Sequence, residues 1–217
     1  PRRGVPRLMD LTVAELDDFW RTVQLARSIL EKSAATAFNI ALLDGSSAGQ
    51  PVSHIHAHIV PRFRGDDLGD DRVHKAVETW VPPQTSKEAL EFPTVSDEDR
   101  KPRTPDMMAE EAAKYRSRLG VKSALDEPHV FAKFPIAASS TFYRSPSGLS
   151  VAFVNLKPLL PGHVLVTPRR IVPRLAELTD EELVDLFRTA RTVQAAVVPN
   201  WAQTRPTLGF KMVLMLE

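Results

Sequence analysis

No cysteine occurs among the 217 residues, which excludes disulfides, thiolate zinc sites and a cysteine nucleophile. Charge of one sign is lacking too. The 28 basic side chains stand against 27 acidic ones, a net of +1, which argues against a surface built to coat nucleic acid or an anionic membrane. An anionic substrate has to be met by local groups. No apolar run reaches the roughly 20 residues of a membrane-spanning helix; the best stretch, residues 149–166, is broken by Asn155, Lys157, two prolines and His163. No Gly-x-x-x-x-Gly-Lys-Ser/Thr pattern occurs, so a P-loop is not the way phosphate is held. No basic-then-apolar leader opens the chain, and with cysteine absent the expected setting is cytoplasmic or nuclear. With 43% apolar residues there is enough for an ordinary core.

What the chain does have is histidine in an ordered place. Three of its six histidines, His54, His56 and His58, fall at alternate positions. In an extended strand side chains repeat every two residues, so the three imidazoles project from one face while Ile55, Ala57 and Ile59 fill the other. Two chemistries use such a row. A neutral imidazole can attack an electrophile while its neighbours position it and supply a proton, because a pKa near neutrality lets these roles coexist. Alternatively, the imidazoles hold zinc with a water in the open position. Just before them, residues 38–43 form a short apolar run closed by Asp44-Gly45 and are expected to be a strand. Residues 46–50 are a small-residue loop whose amides and hydroxyls can approach phosphate oxygens closely.

Elsewhere the pattern is structural. Thr12 and Glu15 form a Thr-x-x-Glu capping box, and Leu16, Phe19, Trp20, Val23 and Ile29 share a face, so residues 1–30 are expected to be a turn and then an amphipathic helix. Residues 64–103 are polar and proline-bearing, a long, partly mobile loop with one short helix at 71–79 and a solvated His74. Residues 107–119 have helix-forming composition and end at Gly120. A linker at 121–127 follows, with His129 beside it and without a task. Strands at 142–143, 149–155 and 163–167, separated by the turns at 145–148, 157–158 and 161–162, make an antiparallel meander.

The chain also repeats itself. Pro168-Arg-Arg-Ile-Val-Pro-Arg-Leu175 restates Pro1-Arg-Arg-Gly-Val-Pro-Arg-Leu8, and the match continues through the capping box and the apolar stripe of Leu183, Leu186, Phe187 and Val193, always displaced by 167 positions. Residues 210–217 likewise resemble residues 38–44. One helix is therefore present twice.

The stretch His54-Ile55-His56-Ala57-His58-Ile59-Val60, preceded by Asp44-Gly45 and Gly49-Gln50 and followed by Pro61-Arg62, resembles the histidine triad proteins. Its nearest likeness is to their fragile histidine triad branch, the dinucleoside polyphosphate hydrolases. Residues 151–168, with Asn155-Leu-Lys-Pro158 and Pro161-Gly-His163, resemble the N-terminal core of the same family. The resemblance implies an α+β fold with an antiparallel sheet and packed helices. It implies hydrolysis of a dinucleoside polyphosphate, of the diadenosine triphosphate type, through a covalent nucleotidyl-histidine intermediate. In that scheme His56 attacks the α-phosphorus, His54, His58 and His163 support it, and Gln50, Asn155, Asp44 and Ser47 contact substrate. No protein metal site is expected, and the one cofactor foreseen is a divalent cation, magnesium or manganese, bound with the substrate phosphates. Family members are similar in being homodimers.

By the same resemblance residues 1–120 look like the C-terminal part of a family domain and residues 128–217 like the N-terminal part of another, in inverted order. A fragment of a tandem array, a permuted gene with an overlap and a mis-joined gene would each give that order. The two parts are expected to complement each other, within one chain or between two. Two other functions compete: a zinc-dependent hydrolase using the same histidines, and a nucleotide-binding signalling module whose catalysis is weak or absent.

Overall fold

The alternation of short apolar runs with turn residues folds, in the computed structural model, into antiparallel ladders with helices beside them, the α+β class expected. The structure describes residues 1–33, 35–65, 100–121, 127–159, 161–197 and the strand backbone of 210–216. The helices are α1 (Val13–Glu31), α2 (Pro105–Arg118) and α3 (Asp180–Val197). The strands are β1 (Ala37–Asp44), β2 (Ala57–Arg62), β3 (His129–Phe131), β4 (Phe134–Ile136), β5 (Thr141–Arg144), β6 (Ser150–Val154), β7 (Val164–Pro168) and β8 (Phe210–Leu216). The expected helix at 71–79, His74 and most of the loop and linker around them lie outside the described residues. The chain divides into two compact units, one of Pro1–Leu11, Thr22–Thr94 and Thr207–Glu217, the other of Thr12–Arg21 and Val95–Pro206.

In the first unit the strand order is β2-β1-β8, all antiparallel. β1 is the central strand, and successive residues Ile40, Ala41, Leu42 and Leu43, which point to alternate faces, are all buried, matching its continuous apolar run. Among the described residues of this unit Val5, Leu8, Leu11, Val23, Phe38, Ala48 and Ile55 are buried as well. Ile29, expected on the inner face of α1, is 58% exposed, whereas Arg27 two residues earlier is buried.

The second unit carries the meander β5-β6-β7. Ala112 and Tyr115 of α2, Phe142 of β5, Ala152 and Val154 of β6 and Val193 of α3 form one core cluster. The helix α2 starts where Thr104 Oγ1 accepts from Met107 N–H, with Pro105 at the first helical position, and stops at Gly120, whose φ of +68° suits the residue after the cap. The segment 12–21 of α1 also belongs here: the Trp20 ring stacks on Phe187 of α3 with centroids 3.4 Å apart and planes within 5°. Arg21 makes a two-pronged pair with Asp180 at 2.7 and 2.6 Å, and Arg188 makes another with Asp17.

The β3–β4 hairpin was not foreseen, and it changes the standing of His129. That residue is no idle linker histidine but a buried one. Its Nε2 lies 3.1 Å from the Thr167 hydroxyl and its ring packs near Phe153. Burial, with Arg169 and Arg144 adding to it, pushes its pKa below the ordinary histidine value.

Candidate active site

The loop after β1 turns on two glycines. Gly45 has φ +103° and Gly49 φ +81°, a region open to glycine without strain, and between them Ser46–Ala48 make one 3-10 turn. The amides of Ala48 and Gln50 donate to the Gly45 carbonyl and that of Gly49 to the Ser46 carbonyl, so those three N–H groups are spent inside the loop instead of facing a ligand. The Gln50 side chain ties the loop shut: its Oε1 accepts from Gly45 N–H at 2.7 Å and its Nε2 donates to the Pro6 carbonyl at 2.9 Å. Ser47 sits in the middle of the 3-10 turn.

Residues 5–8 run alongside as a strap. Val5 carbonyl accepts from Ile55 N–H at 2.8 Å and Pro6 carbonyl from Gln50. Arg7 Nε and Leu8 N–H both donate to Asp44 Oδ1, at 2.7 and 3.3 Å. Asp44 is fully buried, so its carboxylate holds the strap and has no surface to offer a substrate.

The strap also decides how the histidines stand. The expected strand over all three begins only at Ala57, because the Ile55 amide bonds Val5 and the His54 amide bonds the Val52 carbonyl, leaving β1 to pair from Ala57 onward. Even so, His56 and His58 come together with ring centroids 5.0 Å apart and planes at 69°. His56 Nδ1 lies 2.6 Å from the His54 backbone carbonyl. A carbonyl can only accept, so Nδ1 carries the proton and Nε2 of the neutral ring keeps its lone pair. Among the described residues His58 Nε2 is buried with no hydrogen-bond partner, and burial, with His56 adding to it, lowers the His58 pKa. Burial thus favours the neutral form of His58.

In the second unit the turn after β6 gathers another polar group. The Asn155 amide lies 3.0 Å from His163 Nε2 and its Oδ1 accepts from Lys157 N–H at 3.0 Å, while Leu159 N–H donates to His163 Nδ1 at 3.1 Å. Two residues that sequence reasoning passed over come here. Arg103 Nε donates to the Asn155 carbonyl at 3.1 Å, and Arg100 Nη1 to the Lys157 carbonyl at 3.3 Å. Burial, then Arg100 and Arg103, lowers the His163 pKa. The basic run Arg100-Lys-Pro-Arg103 was the available signal, hidden in what reads as loop. Asp44, Ser47, Gln50, His54, His56 and His58 thus share the first unit, and Asn155 and His163 pair in the second. Among the described residues no three His, Asp or Glu side chains come together to hold a metal ion, and no helix is long and apolar enough to cross a membrane.

A family model described as the HIT domain matches residues 1–65 and 137–208. The bis(5'-nucleosyl)-tetraphosphatase [asymmetrical] of Schizosaccharomyces pombe is 51% identical over 81 residues, 37% of this chain and 43% of that protein. The bifunctional bis(5'-adenosyl)-triphosphatase/adenylylsulfatase FHIT of Arabidopsis thaliana is 41% identical over 118 residues, 54% of this chain and 62% of that protein. The chain thus spans about half the length of these curated relatives. Among solved structures a uridylyltransferase superposes with a TM-score of 0.53 at 20% identity, covering 98% of this chain and 53% of that one, a likeness of fold.

Proposed function

The chain belongs to the HIT domain family, and from that premise we propose that it hydrolyses dinucleoside polyphosphates to a nucleoside monophosphate and the remaining nucleotide. The observation that carries the reading is the His54 carbonyl 2.6 Å from His56 Nδ1, which leaves Nε2 as the nucleophile. Nε2 attacks the α-phosphorus, a P–N bond forms, and the bridging P–O bond breaks with its electrons leaving on the phosphate. Water then breaks the P–N bond and returns the imidazole, so one difficult displacement becomes two easier ones. His54 and His58 orient the attacking ring and stabilise developing charge; a polyphosphate beside His58 raises its proton affinity and lets it protonate the leaving group. By the family resemblance Gln50 and Ser47 are assigned to substrate phosphate, Asn155 to a ribose hydroxyl, and His163 to a supporting part. Asp44 serves by holding the strap. A divalent cation, magnesium or manganese, travels with the substrate phosphates.

Residues 1–120 are read as the C-terminal part of a family domain, 121–127 as a linker and 128–217 as the N-terminal part of another, with α3 the second version of α1. Two-fold association of domain copies and a cytoplasmic or nuclear setting complete the reading. The similar names of two dinucleoside polyphosphate hydrolases support it.

The test is hydrolysis of diadenosine triphosphate and tetraphosphate followed by chromatography, with His56→Ala beside the parent chain. Turnover is expected to vanish while nucleotide binding survives; an unchanged rate sinks the assignment. Binding without turnover in the parent favours the signalling-module reading, and loss of turnover in a strong chelator, with no added-metal requirement of the substrate, favours zinc chemistry.

A further inference from the structure

Positions that the internal repeat makes equivalent meet each other, and they do so separately in each unit. In the second unit Trp20 of α1 stacks on Phe187 of α3, and these two residues are each other's counterparts at a displacement of 167. The arginines that follow them, Arg21 and Arg188, are counterparts as well, and each reaches across to a carboxylate of the opposite helix, Asp180 and Asp17. In the first unit β1 pairs antiparallel with β8, its own likeness in sequence at a displacement of 172 from Phe38 to Phe210. The register of that ladder puts Ala41 opposite Val213, again a residue facing its counterpart. An antiparallel pair of like segments centred on equivalent positions has a local two-fold axis, the geometry of an isologous contact between two copies.

We infer that the chain forms within itself the two-fold contacts that two copies of one domain would otherwise make, so that β8 takes the β1 edge and a second chain cannot add to the histidine sheet there. An open β1 edge would leave a row of unpaired N–H and C=O groups as a template for another strand. The chain's own second copy closes it, and in doing so backs β1 on the side away from the histidine strand β2. This inference rests on reading α3 and β8 as second versions of α1 and β1. It makes the partner at this surface the chain's own repeat.

Because the chain has no cysteine, pairing can be trapped cleanly. The variant Ala41→Cys with Val213→Cys, and separately Leu42→Cys with Met212→Cys, places thiols at adjacent register pairs, which alternate between Cα separations of about 4.5 and about 5.5 Å. Both separations lie within disulfide reach. On oxidation in dilute solution, at least one variant is expected to lose two hydrogens and stay a monomer by intact mass and on a non-reducing gel. A disulfide-linked dimer, or no disulfide in either variant, overturns the inference. As a check independent of the cysteines, the unfolding midpoint of the parent chain should not move over about a hundredfold dilution; a midpoint that rises with concentration means the contacts form between chains and overturns it as well. Neither result depends on turnover, and the His56→Ala assay does not depend on pairing, so the two readings fail separately.

Discussion

The segments 5–8 and 172–175 have the same four residues, Val-Pro-Arg-Leu, the same 3-10 turn after them at Leu8–Asp10 and Leu175–Glu177, and the same Thr-x-x-Glu cap on the following helix. Arg3 and its counterpart Arg170 even donate to equivalent carbonyls, those of Asp10 at 2.8 Å and Glu177 at 2.7 Å. Their surroundings part after that. In the first copy Val5 is buried, its carbonyl holds Ile55, and Arg7 holds Asp44. In the second copy Val172 is only half-buried and Pro173 and Arg174 are exposed. Identical local sequence therefore gives identical local structure, and becomes a strap only where a loop ending in Gln50 and Ile55 lies against it. The repeat supplies a scaffold in both copies, while only the first copy holds the loop that leads into His54, His56 and His58.

The largest effect should come from that loop's product. His56→Ala should lower kcat by more than about a thousandfold in a steady-state assay with binding retained, whereas no substitution in the strap should do so alone. Next is the strap itself. Asp44→Ala strands the Leu8 amide and the Arg7 guanidinium and should cost about 3 kcal/mol in urea unfolding. Arg7→Ala should cost about 2 kcal/mol, since its side chain is partly exposed, and Arg174→Ala should stay within about 0.5 kcal/mol. Equal losses at Arg7 and Arg174 would break the comparison. The caps should behave alike: Thr12→Ala and Thr179→Ala should each cost about 1 kcal/mol, because each hydroxyl accepts from the amide three residues on at 3.2 Å.

The gentlest effect is with pH. His58, His129 and His163 all have lowered pKa values in the folded chain, so below about 6.5 the unfolded state binds more protons and stability falls as the pH drops. Glu182 works further down. Arg170 holds its carboxylate at about 2, so its contribution is present above about pH 4.5 and lost as the pH falls through about 2. Urea midpoints at pH 7 and pH 5, with Arg170→Ala compared at pH 4, would reveal both slopes. A flat midpoint between pH 7 and pH 5 would contradict the histidine part.

Sequence by itself determined what depends on near neighbours. Both capping boxes, the end of α2 at Gly120, the run of β1, the meander of β5 to β7 and the alternation of the histidines were legible because turn chemistry and side-chain period act over a few residues. Tertiary structure alone decided where distant backbone groups find partners. Ile55 could pair with β1 or with Val5, fifty residues away, and its choice of Val5 shortened the histidine strand and left His56 to bond the His54 carbonyl. His129 and the pair Arg100 and Arg103 were missed for the same reason: a polar side chain's role is set by which strand or turn folds against it, and a hydrogen bond spanning thirty-eight or fifty-two residues leaves no periodic trace in the chain.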